Sequence, residues 1–144
     1  MPDILASLLE SELFSLVIYG EARGESIEGK VAVASVVTNR LRRGGWFGST
    51  LTEVILKPYQ FSAFNPDDPN RRLLEMIARN FWEYLGQYEA LRQCWWVAVG
   101  FLDGWLSSNV GEATHYFSTS MKSPPDWASE MELVAEIGRH RFYA

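Results

Sequence analysis

Two carboxylates four residues apart, Glu21 and Glu25, close an apolar stretch in the segment Ile18-Tyr19-Gly20-Glu21-Ala22-Arg23-Gly24-Glu25. On a helix such a pair shares a face, with Cβ atoms about 5–6 Å apart. A carboxyl leaving an apolar helix into a cleft is poorly solvated, which raises its pKa, and a second carboxylate nearby raises it further. Cleavage of a glycosidic bond needs such a group, an acid still protonated near neutral pH that donates to the leaving oxygen. Glu21 lies nearer the apolar run and is the candidate acid; if Glu25 is close, the two titrate as a pair. The pattern alone is a weak signal. Two solvated carboxylates, with Arg23 an unrelated surface charge, account for it at least as well.

Two other segments carry polar chemistry. Lys57-Pro58-Tyr59-Gln60-Phe61-Ser62-Ala63-Phe64 mixes an amide, a hydroxyl and three aromatics after a helix stop. It could hydrogen-bond sugar hydroxyls and stack a pyranose face, which makes Gln60, Phe61 and Ser62 candidate substrate contacts. It reads equally as a loop pinned into the core by Phe61 and Phe64. Gly111-Glu112-Ala113-Thr114-His115-Tyr116-Phe117 holds one of only two histidines. Two histidines without a tight ligand spacing make a poor zinc signature, and no Gly-x-Ser-x-Gly elbow marks a serine hydrolase. No metal or cofactor is expected. Thr114, His115 and Tyr116 remain candidates for binding substrate or orienting the acid.

The elements that must position these residues are mainly helical. Pro2-Asp3 opens a first helix, with Asp3 as a cap, and the residues from Phe14 to Tyr19 are apolar nearly all round, as in a helix plugged into a core. A second helix runs from about Ile27 to Arg42, capped by Ser26, with Glu28 in the first turn and Arg40, Arg42 and Arg43 in the last. Its β-branched centre, Val31 to Val37, leaves a strand as the competing reading; length and caps favour a helix. Thr50-Leu51-Thr52-Glu53 reads as a capping box for a short helix stopped by Pro58. Asp68-Pro69 opens a helix to about Leu85, and a further one spans roughly Tyr88 to Leu106. A strand is expected at Leu133 to Ile137. The basic and aromatic end, Ile137 to Tyr143, reads as a docking segment, with His140 satisfied by backbone or by a carboxylate.

The 144 residues suit one domain, with no repeat or linker. Aromatic residues make up 14 %, with six Trp, which fill cores and also form the flat platforms on which sugars stack. A net charge of −5 argues against a nucleic-acid partner. The single Cys94 allows no intramolecular disulfide, which suits folding in a reducing cytoplasm. Asp3 and Glu10 interrupt what would have to be a signal peptide, and no apolar run approaches 18 residues, so neither export by a leader nor membrane insertion is expected.

Taken together, Tyr19-Gly20-Glu21-Ala22-Arg23-Gly24-Glu25, Glu28-Gly29-Lys30-Val31-Ala32-Val33-Ala34 and Val36-Val37-Thr38-Asn39-Arg40 resemble the signature of the SleB/CwlJ-type cell wall hydrolases, which include spore-cortex-lytic enzymes and phage lysis proteins. The similarity continues at Gln60-Phe61-Ser62, Ala113-Thr114-His115-Tyr116, Pro125-Asp126-Trp127 and Ile137-Gly138-Arg139-His140-Arg141-Phe142-Tyr143, in family order from about residue 15 to the end. The resemblance implies a lysozyme-like, lytic-transglycosylase-like α+β domain over 1–144, mainly α with a small β element near the C-terminus. It implies that Glu21 is the catalytic acid, acting on peptidoglycan glycan strands between N-acetylmuramic acid and N-acetylglucosamine. A transglycosylase needs only that carboxyl and leaves a 1,6-anhydro product.

Two departures bear on the cleft: Glu112 stands where the family's Gly precedes Ala-Thr-His-Tyr, and Phe117 replaces a commoner polar residue. A hydrolase would need a second carboxylate, about 6.5–9.5 Å away to activate water or near 5–5.5 Å as nucleophile, for which Glu25 and Glu112 are the candidates. The missing leader and wall-binding domain, and the Gln60–Arg71 loop, look more like a phage endolysin made in the cytoplasm and released through a holin. A non-catalytic glycan-binding module and a phage structural protein remain as alternatives.

Overall fold

The computed structural model describes residues 3–144, and the chain is mainly helical with a small C-terminal sheet. Six α-helices come first: α1 (Glu10–Ala22), α2 (Ile27–Arg43), α3 (Leu51–Leu56), α4 (Pro69–Arg79), α5 (Phe81–Gln87) and α6 (Glu89–Leu102). Three strands follow: β1 (His115–Ser118), β2 (Leu133–Ile137) and β3 (His140–Tyr143).

Helix α1 is the axle of the domain. Leu13 to Tyr19 are all buried, and the helix packs on α2, α3, α4 and α6. A helix apolar on every side has no solvent face to present, so its neighbours must surround it. The expected first helix starts later than its composition suggests. Asp3 accepts the Leu5 N–H at 3.0 Å just ahead of a 3₁₀ turn, Leu5–Ser7, whose N-cap is Ile4. Leu8 and Leu9 then extend, and Glu12 accepts the Leu9 N–H at 3.0 Å to open α1 at Glu10. Pro2 lies outside the described residues.

Helix α2 follows the expected caps: Ser26 Oγ accepts the Gly29 N–H at 3.2 Å, and Gly44, at φ +63°, ends it where only glycine is relaxed. Its β-branched centre is helical and buried, because the capped 17-residue helix has core on both sides. Thr50 accepts the Glu53 N–H at 3.1 Å to start α3, while the Glu53 carboxylate turns to Ser49. Asp68 caps α4 by accepting the Asn70 N–H at 2.8 Å. The helix expected to run on to Leu85 breaks at Asn80, whose φ and ψ of −141° and 49° are not helical. Helix α6 stops at Leu102, short of Leu106. Gly104 turns the chain at φ +83°, so that the Trp105 and Leu106 N–H groups both return to the Gly100 carbonyl at 2.9 Å.

The sheet is antiparallel in the order β1-β3-β2, with His115 opposite Tyr143 and Ser118 opposite His140. The C-terminal segment read as a docking tail is therefore the central strand. Four residues mixing His, Arg, Phe and Tyr give too short an alternation to announce it. Phe142 from β3 packs with Ala32, Val33 and Val36 of α2 and with Val110 and Ala113, which seats the sheet against that helix.

Candidate active site

Glu21 occupies the last turn of α1, where the apolar helix reaches a cleft of about 350 Å³ lined also by Arg40, Tyr59, Gln60, Ser62, Tyr116 and His140. Its two oxygens are held from two sides. The Tyr116 hydroxyl, from β1, donates to Oε1 at 2.5 Å. The Ala63 N–H donates to Oε2 at 3.2 Å, with Ser62 Oγ at 3.5 Å. Gly20 makes the second contact possible: a Cβ there would stand 2.6 Å from Ala63 Cβ and 3.1 Å from Leu74 Cδ1. Of the two glycines flanking the acid, only Gly20 serves close approach, since a Cβ on Gly24 would meet nothing within 4 Å.

Burial pushes the Glu21 carboxyl above the usual carboxylate range, and the negative charge of Asp68 adds to this. The hydrogen bonds from Tyr116, Ala63 and Ser62 favour the ionised form and oppose the shift without cancelling it. Burial, then Glu21 itself, drives the Tyr116 hydroxyl well above the ordinary tyrosine value, so it remains a donor.

Arg40 supports this arrangement. The guanidinium is buried, donates from Nε to the Thr114 carbonyl at 2.8 Å and from Nη1 to Gln60 Oε1 at 3.5 Å, and lies over the rings of Phe61 and Phe47 at 4.9 and 5.2 Å. Asn39, one residue earlier, donates from Nδ2 to the Gly111 and Ala113 carbonyls, both at 2.9 Å. These two side chains tie the chain entering β1 to the end of α2, which fixes where Tyr116 arrives. On sequence Arg40 reads only as a helix-terminal charge; the signal that could have singled it out is its place beside Asn39 in the Val36–Arg40 motif. Lys30 carries the same kind of signal, its place in the Glu28–Ala34 motif. A lysine fully buried in the apolar α2, it donates to the carbonyls of Arg23, at 3.2 Å, and Glu25, covering the end of α1.

The structure brings Glu21, Gln60, Ser62 and Tyr116 together and separates the other candidates. Phe61 is 1 % exposed beneath Arg40 and belongs to the core rather than the cleft. Thr114, also 1 % exposed, uses its carbonyl on Arg40 and its Oγ1 on His115 Nδ1 at 3.0 Å. His115 alternates to the opposite face of β1 from Tyr116 and packs between Phe47 and Trp127. Glu112 is exposed in another depression, with Asn39, Arg42 and Arg43.

Glu25 does not share a helical face with Glu21, because α1 ends at Ala22. It lines the adjoining end of the cleft, but its Oε1 accepts the Arg139 N–H at 2.8 Å and stands 3.5 Å from His140 Nδ1. His140 thus faces a carboxylate but is not satisfied by it, since its buried Nδ1 makes no hydrogen bond. Arg23 is not an isolated surface charge: it donates to Asn70 Oδ1 at 2.6 Å and lies over the Tyr19 ring. Among the described residues no three His, Cys, Asp or Glu side chains converge as metal ligands.

A carboxyl raised by burial, in a cleft cut into a mainly helical fold with a small sheet, is the arrangement of a lysozyme-like fold. The cell wall hydrolase family matches residues 24–143, beginning just after Glu21. A spore cortex-lytic enzyme of Oceanobacillus iheyensis is 30 % identical over 135 residues, which are 91 % of this chain and 40 % of that protein. One from Halalkalibacterium halodurans is 40 % identical over 138 residues, 91 % of this chain and 33 % of that protein. The chain therefore spans about two-fifths or less of the length of these relatives. The catalytic domain of the germination-specific lytic transglycosylase SleB from Bacillus anthracis superposes with a TM-score of 0.62 at 25 % identity, covering the whole of both chains. That of the Bacillus cereus SleB protein gives 0.63 at 27 % identity, covering 94 % of this chain and 89 % of that one. This chain belongs to the cell wall hydrolase family.

Proposed function

We propose that this enzyme cleaves the peptidoglycan glycan strand between N-acetylmuramic acid and N-acetylglucosamine, as a lytic transglycosylase with Glu21 its single acid–base group. The observation that carries this reading is a lone, raised carboxyl held by Tyr116 and the Ala63 N–H, while Glu25 is engaged by the β2–β3 turn and Glu112 lies elsewhere. Tyr116 makes the closest contact, at Oε1, and the acidic proton is assigned to Oε2, whose contacts from the Ala63 N–H and Ser62 Oγ are longer, at 3.2 and 3.5 Å. Glu21 gives that proton to the glycosidic oxygen as the bond to the muramoyl C1 breaks. The resulting carboxylate accepts the proton of the muramoyl 6-hydroxyl as its oxygen bonds to C1, which closes the 1,6-anhydro ring and returns Glu21 to its acid form. The structural neighbour from Bacillus anthracis is itself a lytic transglycosylase, which supports the same choice.

Mass spectrometry of the products from purified sacculi tests it. Anhydro-muramic ends are expected; products carrying only reducing muramic ends would replace the transglycosylase by a muramidase that uses a second carboxylate. The setting we propose is phage-type lysis after cytoplasmic synthesis, supported by the resemblance of the residue 60–71 loop to phage relatives. Expression with and without a co-expressed holin tests this, with lysis expected only in its presence.

A further inference from the structure

Tyr59 is the only non-glycine among the described residues with a positive φ, +62°. It follows Pro58 in a turn closed by the Gln60 N–H donating to the Lys57 carbonyl at 3.3 Å. Proline followed by a left-handed residue is the type II pattern, whose third position ordinarily calls for glycine or asparagine. A bulky side chain there works against the backbone. Such strain persists where the surroundings enforce it, and it gathers at functional sites. Burial of the ring does not offset the strain, since Tyr59 is 77 % exposed.

The position explains what the ring is for. Tyr59 lines the same cleft as Glu21, Gln60, Ser62 and Met121. Phe61, the aromatic of this loop expected to stack on a sugar, lies beneath Arg40 and is closed to any ligand. An exposed aromatic at the mouth of a polar cleft offers a flat apolar face to the C–H side of a pyranose ring, while Gln60 and Ser62 supply polar groups beside it.

We propose that Tyr59 is a sugar-stacking platform of this cleft, holding a pyranose ring of the glycan strand next to the bond that Glu21 protonates. The proposal rests on the glycan-cleaving reading of Glu21. The platform touches the sugar alike in the ground and transition states, so its loss raises KM and leaves kcat little changed.

The test is Tyr59→Gly, which removes the ring and suits the backbone, so the fold is kept. Binding of amidase-stripped glycan strands is measured in a Glu21→Gln background. Adding Tyr59→Gly is expected to weaken Kd about tenfold with Tm equal or higher, and Tyr59→Phe to rescue the affinity. In the Glu21-containing enzyme KM rises by a similar factor. An unchanged Kd in the glycine variant, a phenylalanine variant as weak as glycine, or a Tm loss in the glycine variant each overturns the platform. Clearing of sacculi by Glu21→Gln at the wild-type rate would overturn the Glu21 reading instead, while the binding comparison still reports on Tyr59.

Discussion

At Glu21 solvation and hydrogen bonding pull in opposite directions. Burial favours the neutral acid, and the Tyr116 hydroxyl and Ala63 N–H favour the carboxylate. The balance leaves the pKa raised, so the proposed catalysis by the acid form is expected to survive to higher pH than an exposed glutamate allows and to fall as pH climbs through the raised value. Tyr116→Phe removes a bond that stabilises the ionised form more than the neutral acid. The descending limb of kcat/KM is therefore expected at higher pH than in wild type, with a lower plateau from the loosened carboxyl; a pH–rate profile on soluble glycan strands checks it. Glu21→Gln keeps the shape and removes the proton, so a rate loss of about 10²–10⁴-fold is expected in turbidity clearing. It also has a stability signature. A carboxyl whose folded pKa is raised stabilises the fold fully below its unfolded pKa and loses that contribution as pH rises through the folded one. Thermal melts should show Glu21→Gln above wild type at pH 7, with the gap closing below about pH 4, where both side chains are neutral.

The acid is positioned by contacts between elements, and these differ in how visible they are in sequence. Gly20→Ala puts a methyl group 2.6 Å from Ala63 Cβ, so the residue 61–64 loop must retreat from α1. A cost of about 1–3 kcal/mol is expected from overpacking. The activity loss should exceed what the Tm change alone explains, because the Ala63 N–H leaves Glu21; melts and clearing rates on the same samples separate the two. The helices and their caps were legible at Ser26, Thr50 and Asp68 because those signals are local. The apolar wrapping of α1 likewise announced a core helix. That Glu25 stands off the helical face of Glu21 was not legible, since the turn after Ala22 is held by Lys30 from the next helix and by the Arg139 N–H from a distant part of the chain. The same limit hid β1 and β3, four-residue strands that exist through pairing with each other. Phe61 read equally as a core anchor and as a sugar contact, and what decides for the core, Arg40 arriving from α2, lies outside the loop's own sequence.

On the scale of the whole molecule, the helical part and the sheet are joined where the cleft lies. Tyr116 reaches Glu21 from β1, Phe142 seats β3 on α2, and Glu25 holds the β2–β3 turn across 114 residues of sequence. Gly138, at φ +58°, brings that turn so close to the Glu25 carboxylate that a Cβ there would push it aside. Glu25 thus fastens the sheet to the turn after α1, and this sets apart its two readings. A water-activating or nucleophilic carboxylate would lose about 10²-fold or more on truncation. A fastening carboxylate instead loses a solvent-exposed hydrogen bond from the Arg139 N–H and costs about 0.5–1.5 kcal/mol. Glu25→Ala is therefore expected to lower Tm by several degrees while kcat, measured well below the melt, stays within about threefold. On the proposed transglycosylase reading the products should be unchanged in kind, because a 6-hydroxyl mechanism asks nothing of a second carboxylate. A collapse of kcat at unchanged Tm would make Glu25 the second catalytic group and the enzyme a hydrolase.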